Sequence, residues 1–310
     1  MRGFLRLPHG IPSHDTIRRV FMYLDEKAFN QAFITWISYA LCGQYRHVSV
    51  DGKTLRGSYD LNQPAIHLVS AVASELGVSL GQWKVNEKSN EITAIPALLE
   101  LLALESCVVS IDAIGCQKSI ASQIIDQKAD YLLAVKDNQP TLLAQIKEQF
   151  QRGGAQQSYQ VSDWAASHNE LVSYQVQVSH QLNWLENTPD WKALASLVHV
   201  HTQRASGSED RFYISSVEQL SAQKAYQWTR GHWSVENQLH WQLDVTFRED
   251  EKRVRKEQAP QNLSLLRKIA LNLLQLETSR KLSKAKKRKL AAWDELYLIQ
   301  LISNAITLKT

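Results

Sequence analysis

The sequence predicts an α/β protein in which a mixed β-sheet is flanked by helices, with a helical N-terminal segment and a β-rich insertion. Two observations predict this class. The hydrophobic pattern changes from helical spacing to strand alternation near residue 47, and short apolar strands then alternate with amphipathic helices. The chain has 310 residues, of which 44% are hydrophobic, so it is long enough to bury an extensive core.

The N-terminal part of the chain carries a helical pattern. Apolar residues recur at three- and four-residue intervals from Ile17 to Ala40, and Asp15 is typical of the residues that begin a helix. We therefore predict a pair of helices in a separate N-terminal segment, residues 1–44. A larger domain then spans residues 45–310.

The first part of this larger domain alternates between strand and helix signals. HVSVDGK begins a short strand that ends at Asp51, and the next two strand-like runs are separated by a three-residue turn containing glycine, as in a β-hairpin. The predicted strands span 47–51, 66–74, 78–86, 107–112 and 131–136, and the predicted helices span 93–104 and about 117–128. This β-β-β-α-β-α-β order is that of an RNase H-like fold, in which the first and fourth strands lie side by side.

The second part of the domain contains a β-rich stretch followed by helices. Alternating apolar and polar residues at about 155–216 predict a β-rich insertion that forms a second unit. Helical spacing then returns, and we predict helices at 217–228, 233–243 and 260–277.

Three acidic residues are candidates for catalysis, although each has an ordinary structural explanation. Asp51 precedes glycine in a common turn dipeptide, Asp112 follows a strand where aspartate often caps a helix, and Glu236 fits a solvated helix face. In the RNase H-like order, however, Asp51 and Asp112 lie at adjacent strand ends. Two close carboxylates repel each other unless a cation neutralises them, and oxygen ligands suit Mg²⁺ or Mn²⁺. Two such ions, with Glu236 as a third ligand, are suited to phosphoryl transfer.

Long sequence strings in a fixed order extend over nearly the whole chain. They are HVSVDGKTLRGS, QWKVNEKSNEITAIPALL, VVSIDAIGCQK, LLAVKDNQ, RFYISS, RGHWSVENQLHWQLDVTFRED and RKIALNLL. Together they resemble the H-repeat-associated family of bacterial insertion-sequence DDE transposases. The resemblance implies that Asp51, Asp112 and Glu236 form the DDE triad that binds two Mg²⁺ or Mn²⁺ ions, and that the β-rich stretch is inserted before the glutamate.

The same resemblance implies an activity and its partners. The expected reaction is metal-dependent cleavage and strand transfer of an insertion-sequence element, so the partners are the double-stranded DNA of the element ends and of the target. A homodimer in a synaptic complex is the expected assembly. No membrane partner is expected.

Basic, polar and aromatic residues near the predicted triad are candidates for DNA contacts. Some follow the first acid or the fifth strand, where they could meet phosphates, and others surround Glu236 on its helix, where a tryptophan could stack on an unpaired base. Solvated loops and core packing are the structural alternatives. The candidates are Lys53, Arg56, Lys136, Asn138, Arg230 and Trp233. His232 and His240 flank Glu236, but histidine is a poor ligand for Mg²⁺, so we predict no metal role for them.

Charge and cysteine content limit the remaining possibilities. The net charge is only +4, but residues 280–289 carry seven basic side chains, a run that could follow a DNA backbone or form a solvated face. The three cysteines lack zinc-site or disulfide spacing, which favours a reducing compartment. With no apolar segment of signal-peptide or membrane-spanning length, we expect a cytoplasmic bacterial protein that acts at the nucleoid.

Two departures from the family pattern keep other functions open. Family members carry several dozen helical residues before the motif that begins here at Leu7, and a charged string in the insertion is replaced by HNELVSY at 168–174. We expect a shortened copy whose N-terminal segment is a remnant of a longer region. An inactive remnant that at most binds DNA, and an RNase H-fold nuclease acting on another polynucleotide, are the alternatives.

Overall fold

The computed structural model describes residues 7–61, 64–86, 90–165, 170–183, 185 and 190–307. His168 and Asn169, in the altered string of the insertion, lie outside these residues. The described chain forms a single nine-stranded sheet with helices on both faces. Its strand order is β3-β2-β1-β4-β5-β9-β8-β7-β6.

The first five strands form the half of the sheet that the sequence predicted. They are β1 (His47–Leu55), β2 (Ile66–Ala73), β3 (Val78–Lys84), β4 (Val108–Ile111) and β5 (Asp130–Val135). The strands β1, β2 and β3 form an antiparallel meander, whereas β4 pairs in parallel with both β1 and β5. This arrangement confirms the RNase H-like mixed sheet, with the first and fourth strands adjacent.

The β-rich region continues the same sheet. Its strands are β6 (Gln157–Ala165), β7 (Glu170–Ser179), β8 (Ser196–Arg204) and β9 (Gly207–Ser215). The strand β9 pairs antiparallel with β5, from Leu132 opposite Ser215 to Val135 opposite Phe212. The β content was predicted correctly, but the region adds to the central sheet instead of packing as a second unit. Pairing with β9 satisfies the backbone groups that the edge of β5 would otherwise expose.

Helices cover the two faces of the sheet. They are α1 (His14–Tyr23), α2 (Glu26–Leu41), α3 (Glu91–Glu100), α4 (Lys118–Asp126), α5 (Pro140–Gln151), α6 (Ala222–Val235), α7 (Ala259–Leu276), α8 (Lys284–Trp293) and α9 (Glu295–Thr307). Residues of α2, α3 and α4 pack on one face against Val50, Val109 and Leu133. On the other face, α6 packs against Leu132 and Val198. Within the described residues, no helix combines the length and apolar character that crossing a membrane requires.

The helix α6 differs from the sequence prediction. Residues 217–228 and 233–243 were predicted as two helices, whereas the chain is helical without interruption from Ala222 through α6 and two π-helical turns to Thr246. Gly231 lies inside this helix because the helix passes very close to β1: a Cβ there would lie 2.8 Å from His47 Nδ1. The glycine reflects close packing, not a helix end.

Candidate active site

The two candidate aspartates lie at neighbouring strand positions. In the parallel ladder Val50 pairs with Ile111, so Asp51 and Asp112 occupy the next position on each strand. Asp112 also accepts a hydrogen bond of 3.2 Å from the Ile114 N–H, so it caps the short 3₁₀ turn that follows β4. The structural role considered for Asp112 and its position beside Asp51 therefore coexist.

Glu236 approaches Asp51 from the long helix, whereas Asp112 is not part of the compact ligand set that Asp51 and Glu236 form with His240. The helix widens at Glu236: the Trp241 N–H bonds to the carbonyl oxygen of Glu236, five residues back, as in a π-helix. Single π-helical turns are frequent at functional sites because they redirect side chains within a continuous helix. Glu236 is exposed, while Val235 and Leu239 on the same turn are buried against the sheet.

Asp51, Glu236 and His240 form a compact set of potential ligands. One ligand atom from each residue lies within 4.8 Å of the others. The Nε2 atom of His240 also lies 2.9 Å from Asp51 Oδ2, although the two residues are 189 positions apart in the sequence. No metal role was predicted for His240, because imidazole suits Mg²⁺ poorly. His240 follows Glu236 by four residues, and this spacing places two side chains on the same face of a helix. The spacing was the signal available in the sequence.

The electrostatics of the aspartates differ. Burial, followed by the negative charges of Glu91 and Asp51, raises the pKa of Asp112 to about 6. Burial also raises the pKa of Asp51, but the hydrogen bond and charge of His240 outweigh it, and the net pKa shift is downward. The carboxylates therefore repel one another at neutral pH, a repulsion that a divalent cation would relieve. Glu91, a neighbouring carboxylate on α3, was not singled out in the sequence.

A cavity of about 580 Å³ opens beside these acids. Asp51, Asp112 and Glu236 all line it, together with Trp233. Its other charged lining residues are three basic ones, Lys136, Lys147 and Arg211, and three acidic ones, Asp137, Glu209 and Asp210, of which Glu209 pairs with Arg211. The guanidinium of Arg211 lies 4.0 Å from the centre of the Trp233 ring, and this ring is 43% exposed. Acidic, basic and aromatic groups thus share one open cavity.

The other residues predicted to contact DNA have varied surroundings. Lys53 is only 12% exposed, and its ammonium pairs with Asp244 and with Glu249, so little of its charge is left for a phosphate. Arg56 is 84% exposed. The remaining two residues are exposed and each has a protein contact: the Asn138 amide donates to the Ala113 carbonyl, and Arg230 lies over the Tyr174 ring.

A buried polar network lies directly beneath the site. The Ser110 hydroxyl lies 2.8 Å from His47 Nε2 and 3.0 Å from His232 Nδ1, and it also contacts the hydroxyl of Ser49. Burial lowers the pKa of His47 to about 3, so this ring is neutral. Because every member has a partner, the network fixes the orientation of His232 in the cavity wall.

Two family models and several known proteins match this chain. The family model described as the transposase DDE domain matches residues 43–273, and the model for its associated region matches residues 1–37. The candidate transposase YncI of Escherichia coli O157:H7 is 39% identical over 321 residues, which cover 96% of this chain and 79% of YncI. The H repeat-associated candidate transposase YhhI of Escherichia coli K12 is 37% identical over 313 residues, covering 96% and 82% of the two chains.

The piggyBac transposase, seen in a synaptic complex with hairpin DNA, matches with a TM-score of 0.46 and 10% sequence identity over 96% of this chain and 64% of its own. The family model alone spans well over half of the sequence. The chain is therefore a transposase of the DDE family, and it belongs with the H repeat-associated members.

Proposed function

We propose that this transposase cleaves DNA at the ends of its element and joins the freed ends to a target, with Asp51, Asp112 and Glu236 as catalytic carboxylates. The observation that carries the proposal is the approach of Glu236 to within 4.8 Å of the Asp51–His240 pair, from a helix distant in sequence. The open cavity at the same acids leaves room for a phosphodiester.

The donor set fits divalent cations. Asp51, Asp112 and Glu236 offer the oxygen ligands that Mg²⁺ and Mn²⁺ prefer, and burial together with the charges of Glu91 and Asp51 raises the pKa of Asp112. Two bound ions would supply Lewis acidity for the attacking and leaving oxygens of an in-line displacement. His240 holds Asp51 by its Oδ2 atom. His240 therefore orients the Asp51 carboxylate, and the carboxylate oxygens suit Mg²⁺ and Mn²⁺ alike.

Other residues in and around the cavity are proposed to hold the DNA or to support the site. Lys136, an exposed cation of the cavity lining, contacts a phosphate, and Trp233 stacks on a base next to the cleaved bond. Arg56 and Arg230 extend this contact along the DNA, while Asn138 supports the loop after Asp112.

The chemistry proceeds in two displacements. A water molecule attacks the phosphodiester at the element end and releases a 3′-hydroxyl, which then attacks a phosphodiester of the target DNA. No covalent enzyme intermediate forms. Because both ends of an element are processed, we further propose that two copies of the chain act together on double-stranded DNA.

The proposal is tested by incubating labelled element-end duplexes with Mg²⁺ or Mn²⁺ and measuring cleavage and strand transfer. Asp51→Asn, Asp112→Asn and Glu236→Gln are each expected to lower the rate by at least about 1000-fold, since each removes a metal ligand. Glu105→Gln is the matched control, because Glu105 is an exposed acid before β4, at the opposite end of this strand.

Two outcomes would contradict the proposal. If the wild-type chain binds element ends but does not cleave them, the chain is an inactive transposase remnant. Preferential cleavage of RNA or an RNA–DNA hybrid over duplex DNA, sensitive to the same three substitutions, would instead indicate a nuclease of another specificity.

A further inference from the structure

The connection from the long helix to α7 carries a nearly balanced set of charges. Residues 248–258, REDEKRVRKEQ, contain five basic and four acidic side chains. The sequence alone therefore predicts almost no net charge for this segment and no basic surface patch. Its acids precede most of its bases, however, so the fold can turn the two groups in different directions.

The acidic side chains of the segment are used inside the protein. Glu249 is 4% exposed, and its carboxylate lies 3.3 Å from both Arg267 and Lys53. Asp250 pairs with Arg56 at 3.8 Å. Glu251 forms an ion pair with Arg248 at the start of the segment. These contacts anchor the acidic half against β1 and α7.

The basic side chains of the segment face solvent. Lys252, Arg253, Arg255 and Lys256 are all exposed, and none has an ion-pair partner among the residues that the structure describes. We call residues 252–256 the basic loop. The net result is four unpaired positive charges within five residues of chain.

The basic loop borders a groove of about 1200 Å³. Arg18 of α1 and Lys84 at the end of β3 add positive charge to its other walls. The acids that line it are Glu26, Asp60 and Glu257. Glu26 accepts a hydrogen bond from Gln261. Five basic and three acidic side chains therefore line the groove, which gives it a net positive charge, although one of the five, Arg18, pairs with Asp15.

The basic loop lies a short distance from the proposed catalytic acids. The Lys252 carbonyl oxygen packs on Gly57, where an added Cβ would lie only 2.2 Å from it. Gly57 follows Asp51 by six residues along β1 and its extension, so the separation is at most about 20 Å at strand geometry. That span equals about six base pairs of duplex at 3.4 Å each.

We propose that the basic loop and its groove bind the phosphate backbone of duplex DNA about half a helical turn from the cleaved bond. The inference rests on the proposed function, because it places the cleaved bond at Asp51. Closely spaced, exposed and unpaired cations suit the regular phosphate array of DNA, which releases counterions when they bind. Contacts of this kind position a duplex and carry no base preference.

The test compares two triple variants with equal loss of charge. One is Arg253→Gln/Arg255→Gln/Lys256→Gln in the basic loop. The matched control is Lys128→Gln/Arg152→Gln/Lys192→Gln, three exposed cations that line neither the cavity nor the groove. Affinity for an element-end duplex is measured by fluorescence anisotropy in Ca²⁺ between 50 and 200 mM salt, and thermal unfolding verifies that both variants fold.

We expect the loop variant to bind at least about 10-fold more weakly than the control at 100 mM salt. The slope of log K against log salt should fall by about 2 to 3, because each lost phosphate contact removes about 0.9. Shortening the duplex to leave fewer than six base pairs beside the cleaved bond should abolish the difference between the variants.

The proposal is overturned if the loop variant loses no more affinity than the control, or if its salt slope equals that of the wild type. It is also overturned if the loop variant binds the acidic peptide polyglutamate more weakly than the wild type does but binds DNA as tightly as the wild type. Binding is measured without cleavage, so an inactive triad with loop-dependent binding would refute only the proposed catalysis.

Discussion

Asp112 carries the most unfavourable charge among the proposed catalytic residues. Its carboxylate lies beside those of Glu91 and Asp51, and burial together with these charges raises its pKa to about 6. An aspartate in an unfolded chain titrates near 3.8. The charged side chain therefore destabilises the folded protein at neutral pH unless a cation is bound.

The first prediction is that Asp112→Asn stabilises the metal-free protein by about 1–2 kcal/mol at pH 7. The pKa shift sets an upper limit of about 3 kcal/mol, which we reduce for partial solvent exposure. Asparagine also keeps the side-chain oxygen that caps the turn at Ile114. Because the pKa of Asp112 is higher in the folded than in the unfolded protein, the gain is complete above about pH 6. It disappears below about pH 4, where Asp112 is protonated in both the folded and the unfolded protein.

Urea unfolding in EDTA from pH 4 to pH 8 measures this difference. Glu105→Gln provides the control, since the Glu105 side chain is 69% exposed and pairs with Lys128 at the surface. Equal stability of Asp112→Asn and wild type at pH 7 would show that the carboxylates do not repel each other as described.

At the scale of elements, the three C-terminal helices are joined by one buried polar cluster. Glu277 ends α7, Lys287 lies in α8 and Tyr297 lies in α9. Glu277 Oε2 lies 3.1 Å from Lys287 Nζ and accepts a 2.9 Å hydrogen bond from Tyr297. Burial raises the pKa of Glu277, but hydrogen bonds from Ser279, Lys287 and Tyr297 outweigh it and lower the pKa to about 2.

The second prediction concerns the pH dependence of this cluster. The folded pKa of Glu277 is below its unfolded value of 4.5, so the cluster stabilises the fold above about pH 5 and loses this effect as the pH falls towards 2. Glu277→Gln should therefore cost about 3 kcal/mol at pH 7, because it leaves the buried Lys287 ammonium without its counter-charge.

Chemical unfolding of the wild type and Glu277→Gln at pH 7 and pH 3 tests the cluster. The double variant Glu277→Gln/Lys287→Met is the control and should recover much of the loss, since it removes the uncompensated charge as well. If the gap between wild type and Glu277→Gln stays constant down to pH 3, the cluster is not ionised as described.

At the scale of the whole molecule, the proposed metal ligands come from three separate elements. Asp51 belongs to β1, Asp112 follows β4, and Glu236 lies where α6 passes into its π-helical turns. A cation held by all three would connect the long helix to the centre of the sheet. The metal should therefore influence global stability as well as catalysis.

The third prediction is that 10 mM Mg²⁺ or Mn²⁺ stabilises the protein by about 1.4 kcal/mol for a site with a Kd near 1 mM. For a chain of 310 residues, such a gain raises the Tm by roughly 2 °C. Calorimetry with NaCl at matched ionic strength measures the effect. Asp51→Asn and Glu236→Gln should lose it, and a Tm rise that persists in both variants would place the metal elsewhere.

Several features could be predicted from the sequence because they depend on local patterns. Strand alternation and helical spacing indicate where the elements of an RNase H-like sheet lie, and their order makes β1 and β4 neighbours. The helix through Glu236 was predicted as two pieces, because the close approach of Gly231 to His47 depends on packing and leaves no local signal. The pairing of β9 with the edge of β5 also leaves no local signal, because it joins two strands that are distant in the sequence.

The sequence by itself determined the family, the order of the elements and the candidate acids, because each is encoded in contiguous strings. Only the tertiary structure decided that His240 bonds to Asp51, that Lys53 is occupied by Asp244 and Glu249, and that the cations of the basic loop remain unpaired. The physical reason is that the charge of a side chain is local, but its partner is chosen by the fold from residues far away along the chain.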